Sequence, residues 1–303
     1  MSTTINTTLD DMKDSFRLAK NNILSFFLAN LGMLIVMGIL AALIAIPITA
    51  AAFVLVAPLS EATIEAFTDW AMANPLAVGG ISLLVLIPLV SVFLTVEGSI
   101  YGMTHDLITT GETKAELAFS YFRHKFLTLA GAGMILTIVI ALPPVAVWGL
   151  ASIASGYVIG PAVAAVLSVF TFIWVFLTAG LTSMVWPAVV SGKGVQDAFK
   201  ESISLSNKHF ERVFGLVSAI VLLIAISFGP IILWALTSAP VPPVPDFWIP
   251  GPFLIGAASW TLIAVFLWLL VFLPMVRIAF VKVYQELTGG RVVALEPAQV
   301  PIV

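Results

Sequence analysis

Long apolar segments alternate with short polar ones along the chain. A helix needs about 20 apolar residues to cross the hydrocarbon core of a bilayer. Six segments reach that length, at residues 23–57, 76–103, 127–151, 158–190, 213–238 and 253–281. The pattern predicts an all-α, polytopic membrane protein in which one membrane domain holds six transmembrane helices.

A charged amphipathic segment comes before each odd-numbered span. In the first of these segments, apolar residues recur at helical spacing and charged residues occupy the opposite face. The apolar set is Leu9, Met12, Phe16, Ala19 and Ile23, and the charged set is Asp10, Lys13, Asp14, Arg17 and Lys20. Because amphipathic helices bind at the bilayer surface, we expect an interfacial helix before each odd span.

The amphipathic segments resemble one another. Residues 10–27 align without gaps on residues 197–214, with five identical residues. About one identity is expected by chance over this length. A weaker middle copy sets residues 121–126 against residues 205–210. The alignment predicts that the first, third and fifth spans begin in the same way.

The even-numbered spans share a second motif. The sequence Val-Phe-Leu-Thr at 92–95 recurs at 175–178, and its third copy at 271–274 ends in Pro. Sixteen residues after each motif come Gly111, Gly194 and Gly290, where we expect equivalent turns. The chain is therefore predicted to contain three two-helix repeats and a tail, at about 8–111, 112–194, 195–291 and 292–303. Because each unit holds two spans, the copies are parallel, which predicts a pseudo-threefold axis along the membrane normal.

The basic residues are segregated to one side. With six spans, all 13 Lys and Arg lie on, or just inside, the same face of the membrane. The loops on the other face, at about 58–75, 152–157 and 239–252, contain Asp and Glu but no Lys or Arg. Lys and Arg are enriched in cytoplasmic loops. We therefore predict a cell-membrane protein with both termini in the cytoplasm.

Composition supports the membrane assignment and limits the chemistry. Of the 303 residues, 60% are hydrophobic and 10% are charged, whereas soluble domains average about 25% charged residues. The net charge of −3 argues against a nucleic-acid partner. With no Cys and three dispersed His, the sequence predicts no metal and no cofactor. No catalytic constellation is visible, so we do not expect an enzyme.

Two ionisable residues stand out inside the predicted spans, Glu97 and Arg277. The repeat alignment sets Glu97 against Val276, so the two charges lie one residue apart in equivalent spans. Because an unpaired charge inside a bilayer is costly, we predict an ion pair between them. In the alternative arrangement, Arg277 reaches lipid phosphate and Glu97 is protonated or hydrated.

The basic residues of the amphipathic segments are candidates for contact with lipid. This set of candidate lipid-facing residues comprises Lys13, Arg17, Lys20, Arg123, Lys125, Lys208 and Arg212. The segments could anchor each hairpin, or they could recruit anionic lipid or gate a cytoplasmic mouth. Their balanced charges favour anchoring. Trp186, near the inner end of a span, is expected in the aromatic belt.

One segment resembles a known family. Residues 197–210, followed by residues 213–216, show Ala-x-x-x-Ser-x-x-Leu and then an aromatic residue and Gly-Leu. This pattern is similar to the membrane domains attached to glycerophosphodiester phosphodiesterases and to stand-alone six-span proteins of bacteria and archaea. The resemblance implies a six-span fold. It does not imply phosphodiesterase activity, because the catalytic domain has no counterpart here. The chain lacks the Pro-x-acidic-x-x-basic motif of mitochondrial carriers, which also have three two-span repeats.

Two functional hypotheses remain open. In the first, a non-enzymatic membrane protein organises lipid or a protein partner through its interfacial helices. In the alternative, a permease or channel carries a small or amphiphilic substrate along the pseudo-threefold axis. A water-filled cavity reaching both faces would favour transport, whereas a packed core or a lipid-filled groove would favour the first hypothesis.

Overall fold

A computed structural model describes residues 5–56, 61–156, 158–237 and 252–293. Within these ranges the regular elements are helical. The helices are α1 (Ile5–Asn21), α2 (Ile23–Val56), α3 (Glu61–Ala73), α4 (Pro75–Thr110), α5 (Ala115–Ala154), α6 (Pro161–Thr182), α7 (Val185–Val190), α8 (Val195–Lys208), α9 (Phe210–Thr237), α10 (Pro252–Leu267), a π-helical turn (Trp268–Phe272) and α11 (Leu273–Thr288).

Six helical segments are long and apolar enough to cross a membrane. They are Ile23–Pro47, Leu86–Thr110, Ala115–Ala154, Pro161–Val190, Phe210–Ile231 and Ala258–Thr288. The predicted all-helical fold with six apolar helices of spanning length is therefore confirmed. Most of the predicted loop at about 239–252, with its prolines at 240, 242, 243 and 245, lies outside the described residues, and which side of the membrane each end faces stays a prediction.

Helix ends meet at one end of the bundle, which we call the basic face. It brings together α1 and α8, the starts of α2, α5 and α9, and the ends of α4, α7 and α11. Tyr121 of α5, for example, donates a hydrogen bond to Asp106 of α4 at 2.9 Å. Most buried side chains of the described residues lie in the half of the bundle nearest this face. The packed core is therefore concentrated at the end that carries the basic residues.

The three amphipathic segments join their spans at matching positions. A turn at Asn22 separates α1 from α2, and His209 (φ −121, ψ 42) separates α8 from α9. In the middle copy, α5 is continuous from Ala115, but Lys125 inside it has non-helical angles (φ −115, ψ 16). In the alignment predicted from sequence, Asn22, Lys125 and His209 are equivalent. The third span therefore begins as a bent helix and not as a separate segment at residue 127.

The first and last amphipathic helices also bury matching positions. Three aligned pairs have side chains that are almost fully buried in both helices: Asp11 with Ala198, Ser15 with Ser202, and Ala19 with Ser206. Each helix thus packs on the bundle through the same i, i+4, i+8 positions. Burial of the same positions in α1 and α8 agrees with the sequence alignment of these two segments.

The aligned glycines do not share one conformation. Gly111 ends α4 in the left-handed region at φ 80, as the predicted turn requires. Gly194 instead precedes α8 with extended angles. In the third copy, Gly289 and not Gly290 ends α11, at φ 73. The equivalent turn expected at all three glycines is therefore found only at Gly111, and the threefold organisation stays a prediction.

Trp186 belongs to the core and not to an aromatic belt. It is 7% exposed and packs against α4 at Gly98, where an added Cβ would lie 2.6 Å from the indole ring. A hydrogen at this position lets the aromatic side chain lie directly on the helix backbone. Small residues allow such close approaches between membrane helices.

Substituting Gly98 with Ala is expected to destabilise the bundle. The new methyl group would force Trp186 to move, and overpacking typically costs about 1–3 kcal/mol. The matched control is Gly38→Ala, because nothing lies within 4 Å of a Cβ built at Gly38. We expect thermal unfolding in detergent to begin at a lower temperature for Gly98→Ala only. Equal unfolding temperatures for the two variants would contradict the packing described.

Candidate functional site

A polar network lies within the spans and joins three of them. Arg277 of α11 forms a two-pronged ion pair with Glu97 of α4, in which Nε donates to Oε1 and Nη2 to Oε2, each at 2.6 Å. Its Nη1 donates to Oδ1 of Asn30 on α2 at 2.8 Å. The Arg277 side chain is 3% exposed and the Glu97 side chain 20%. We call Asn30, Glu97 and Arg277 the intramembrane clasp.

Asn30 extends the clasp to the π-helical turn. Its Nδ2 donates to the carbonyl of Leu269 at 2.9 Å. π-helical turns interrupt the regular α-helical hydrogen-bond ladder. Each end of the Asn30 amide therefore has a partner, one on a side chain and one on the backbone. Sequence analysis missed Asn30, although an amide inside an apolar run is itself a signal of a hydrogen bond between helices.

The clasp satisfies groups that are costly to bury. Separating either charge from its partner would leave an ion in a low-dielectric environment. A guanidinium that donates two parallel hydrogen bonds to a carboxylate is a strong and directional pairing. The structure thus brings Glu97 and Arg277 together, and Arg277 does not extend to the membrane surface as in the alternative arrangement.

A second network fixes α1 to the bundle at the basic face. Asp11 accepts hydrogen bonds from Arg212 Nε at 2.9 Å and Nη2 at 3.0 Å. Lys282 lies 3.1 Å from Asp11 and 2.7 Å from Asp14. Arg212 also pairs with Glu286. We call these five residues the α1 dock, because they join α1 to α9 and α11.

The α1 dock corrects one prediction and adds residues that the sequence did not reveal. Arg212 was expected to face lipid, but its side chain is 14% exposed and is bound to Asp11 and Glu286. The carboxylate of Asp11 is enclosed, with the side chain 4% exposed. Arg212 lies about two hundred positions from Asp11 in sequence, so a local pattern could not pair them.

Lys125 is the second of the predicted lipid-facing residues that is bound to protein. Its ammonium donates to the carbonyls of Val190 at 2.7 Å and Val189 at 3.3 Å. These carbonyls belong to the last turn of α7, where the helix dipole favours a cation. The bend in α5 at this residue therefore coincides with a contact between α5 and α7.

The other predicted lipid-facing residues are exposed, namely Lys13, Arg17, Lys20, Arg123 and Lys208. On α1, Leu9 and Phe16 are also exposed, by 59% and 44%. The predicted apolar stripe thus does not pack as a whole against the protein. The side of α1 that does is formed by Asp11, Ser15, Leu18 and Ala19. We call the exposed set Leu9, Asp10, Lys13, Phe16, Arg17 and Lys20 the outer face of α1.

An apolar cavity of about 380 Å³ lies between five of the spans. Its walls come from α4, α5, α6, α9 and α11, together with Trp186 of α7. Three lining residues carry hydroxyl groups, Tyr101, Thr182 and Ser183. Two of these hydroxyls donate to backbone carbonyls of α6, Thr182 to Thr178 at 2.7 Å and Ser183 to Gly180 at 2.9 Å. The other lining side chains are hydrocarbon except for the indole of Trp186.

The three histidines that the sequence analysis called dispersed are His105 on α4, His124 on α5 and His209 between α8 and α9. In the part of the chain that the structure describes, no three His, Asp or Glu side chains come together in a way that could hold a metal ion.

A double-mutant cycle should reveal coupling within the intramembrane clasp. Glu97→Gln and Arg277→Gln each leave one charge without its partner inside the membrane, so each should destabilise the protein in detergent. The double variant should be less destabilised than the sum of the singles, with a coupling of about 0.5–3 kcal/mol. The cycle is measured by thermal or denaturant unfolding. A coupling of zero would contradict a clasp that stabilises the fold.

Loss of the Asp11 carboxylate should release α1. Asp11→Asn removes the anion shared by Arg212 and Lys282, and we expect trypsin to cleave α1 at Lys13, Arg17 and Lys20 about tenfold faster, which corresponds to about 1.4 kcal/mol. The matched control is Asp10→Asn, since Asp10 is exposed on the same helix. Cleavage rates that are equal in the two variants would show that the dock does not hold α1.

Comparisons with known proteins add no relative: no family model, no curated protein and no solved structure matches this chain. The resemblance carried by residues 197–216 therefore stays a prediction. The six apolar helices, with polar side chains between them bound to one another, indicate an integral membrane protein.

Proposed function

We propose that this chain is a non-enzymatic integral membrane protein that organises anionic lipid through the outer face of α1. One observation carries the proposal. One side of α1 is fixed to the bundle by the α1 dock, while the opposite side exposes Leu9 and Phe16 next to Lys13, Arg17 and Lys20. Apolar and basic side chains on one exposed helix face are the combination that binds an anionic bilayer surface.

The attachment of α1 determines how it meets the bilayer. A free amphipathic helix adjusts its depth and rotation, but α1 is bound through Asp11 and Asp14 to two other helices. Its outer face therefore has a set orientation relative to the spans. Each basic group near an anionic surface contributes about 1 kcal/mol of attraction. Three such groups on one rigid helix outnumber the single exposed carboxylate of Asp10 and favour anionic lipids in the adjoining layer.

Helix α8 supports the same role. It packs on the bundle through Ala198, Ser202 and Ser206. The hydroxyls of the two serines donate hydrogen bonds to backbone carbonyls at the end of α6. Ile203 is 41% exposed on this helix, and Lys208 is exposed at its end. A second attached helix of this kind would extend the lipid-binding surface around the basic face. We further propose that the basic face lies on the cytoplasmic side of the cell membrane.

The alternative, a permease or channel, requires a path for polar groups between the two membrane faces. The cavity between the spans has almost wholly apolar walls, and the charged residues that adjoin its lining in α4 and α11, Glu97 and Arg277, are bound to each other. Both observations favour the lipid-organising role.

The test measures which lipid surrounds α1. Because the chain has no Cys, a single fluorescent label can be placed at Leu9→Cys on the outer face. The labelled protein is reconstituted in vesicles that contain trace acceptor-labelled phosphatidylglycerol or acceptor-labelled phosphatidylcholine. We expect stronger energy transfer to phosphatidylglycerol, because the basic groups attract its charge. Replacing Lys13, Arg17 and Lys20 with Gln should abolish most of this preference.

The control keeps the same change in net charge but moves it away from α1. A variant with Arg123, Lys200 and Lys208 replaced by Gln should retain most of the preference at Leu9. Equal transfer to both lipids in the unmodified background, or an equal loss in the two triple variants, would overturn the proposal. High salt should weaken the preference, since exposed charges are screened.

A further inference from the structure

We infer that the cavity between the spans holds one acyl chain of a membrane phospholipid, with its ester carbonyl near Tyr101. This site is separate from the outer face of α1 and does not depend on the role proposed for that helix. The inference rests on where the cavity opens, on the chemistry of its walls and on the distribution of its few polar groups.

The cavity opens among residues that are exposed at the depth of the spans. Phe172 of α6 and Ile224 of α9 line it and are themselves 58% and 44% exposed. In a membrane protein, apolar side chains exposed along a span contact acyl chains. The molecule that reaches this opening is therefore the hydrocarbon part of a lipid and not an aqueous solute.

Water is a poor occupant of this space. A buried water requires about two to four polar partners, and apolar cavities stay dry. The hydroxyl hydrogens of Thr182 and Ser183 are already donated to backbone carbonyls. A volume of about 380 Å³ is large for a packing defect and lies within the usual range of about 300–1,000 Å³ for ligand pockets.

The dimensions fit one chain within one leaflet. Along α6 the lining runs from Phe172 to Ser183, which corresponds to about 16 Å at a rise of about 1.5 Å per residue. One leaflet contributes about half of a hydrocarbon core of about 30 Å. The cavity is therefore about as long as one leaflet is thick, and it lies in the leaflet of the basic face.

Polarity along the cavity sets the direction of the chain. Tyr101, Thr182 and Ser183 lie toward the basic face, whereas Leu94, Phe172 and Ile224 line the end nearer the middle of the membrane. Tyr101 is 6% exposed, and its phenol is a group that can donate a hydrogen bond at the cavity that it lines. An ester carbonyl at the head of an acyl chain would accept that hydrogen bond, with the chain pointing toward the membrane centre as it does in the leaflet.

Photocrosslinking with the full-length protein tests the site. The protein is reconstituted in phosphatidylcholine vesicles containing a small fraction of phosphatidylcholine with a diazirine on one acyl chain. After irradiation, peptide mass spectrometry should find adducts on cavity residues such as Ala179 and Val221. A diazirine near the ester should label residues close to Tyr101, and one near the terminal methyl should label residues close to Leu94.

Filling the cavity provides the specific variants. Ala179→Trp, or Val221→Trp from the opposite wall, should lower the cavity adducts at least fivefold. The matched control is Val169→Trp, since Val169 is 59% exposed on α6 and does not line the cavity. Using two blocking variants from different helices guards against misfolding of one, and each is checked by gel filtration. Tyr101→Phe should lower the yield from the ester-proximal probe and leave the methyl-proximal yield unchanged.

Three results would overturn the inference. Absence of cavity adducts, or cavity adducts that persist in both blocking variants, would show that no chain enters. Labelling by a diazirine fatty acid but not by the phospholipid would assign the site to free fatty acid. Reaction of Ala179→Cys with a membrane-impermeant thiol reagent would show that the cavity is filled with water.

Discussion

The cost of leaving a charge without a partner inside a bilayer is the constraint on which this structure depends. Arg277 can lie in the middle of a packed bundle only because Glu97 neutralises it and Asn30 takes a further hydrogen bond. The three residues come from α2, α4 and α11. The ion pair and hydrogen bonds of one guanidinium therefore fix the relative positions of the first, second and last spans. Apolar contacts between membrane helices are not directional. Lipid tails are as apolar as the side chains that form these contacts and can replace them.

Pairing of enclosed charges also shapes the basic face, where it sets the orientation of α1. The α1 dock places Asp11 between Arg212 and Lys282, and all three side chains are largely enclosed. Their contacts determine which side of α1 turns toward the protein. The side left outside then holds Leu9 and Phe16 together with basic residues. A surface suited to lipid thus results from how the buried charges are paired, and not only from the periodicity of the helix.

Much of the fold could be predicted from the sequence, since length and hydropathy define six spans and local spacing defines amphipathic segments. The juxtaposition of Glu97 and Arg277 followed from aligning repeated motifs, and the structure places the two side chains in contact. The partners of Arg212 and Lys125 could not be predicted in this way. Exposed and paired basic residues look alike in sequence, and their partners lie on helices far along the chain. The cavity was also beyond reach, because it depends on how far apart the spans lie.

Helix α11 takes part in both networks, with Lys282 and Glu286 in the α1 dock and Arg277 in the clasp. Lys282 and Arg277 are five residues apart, about 7.5 Å along a rigid helix. The contacts that hold α1 at the surface and the contacts that neutralise the buried guanidinium therefore share one helical support. A substitution that displaced this end of α11 would disturb both networks together.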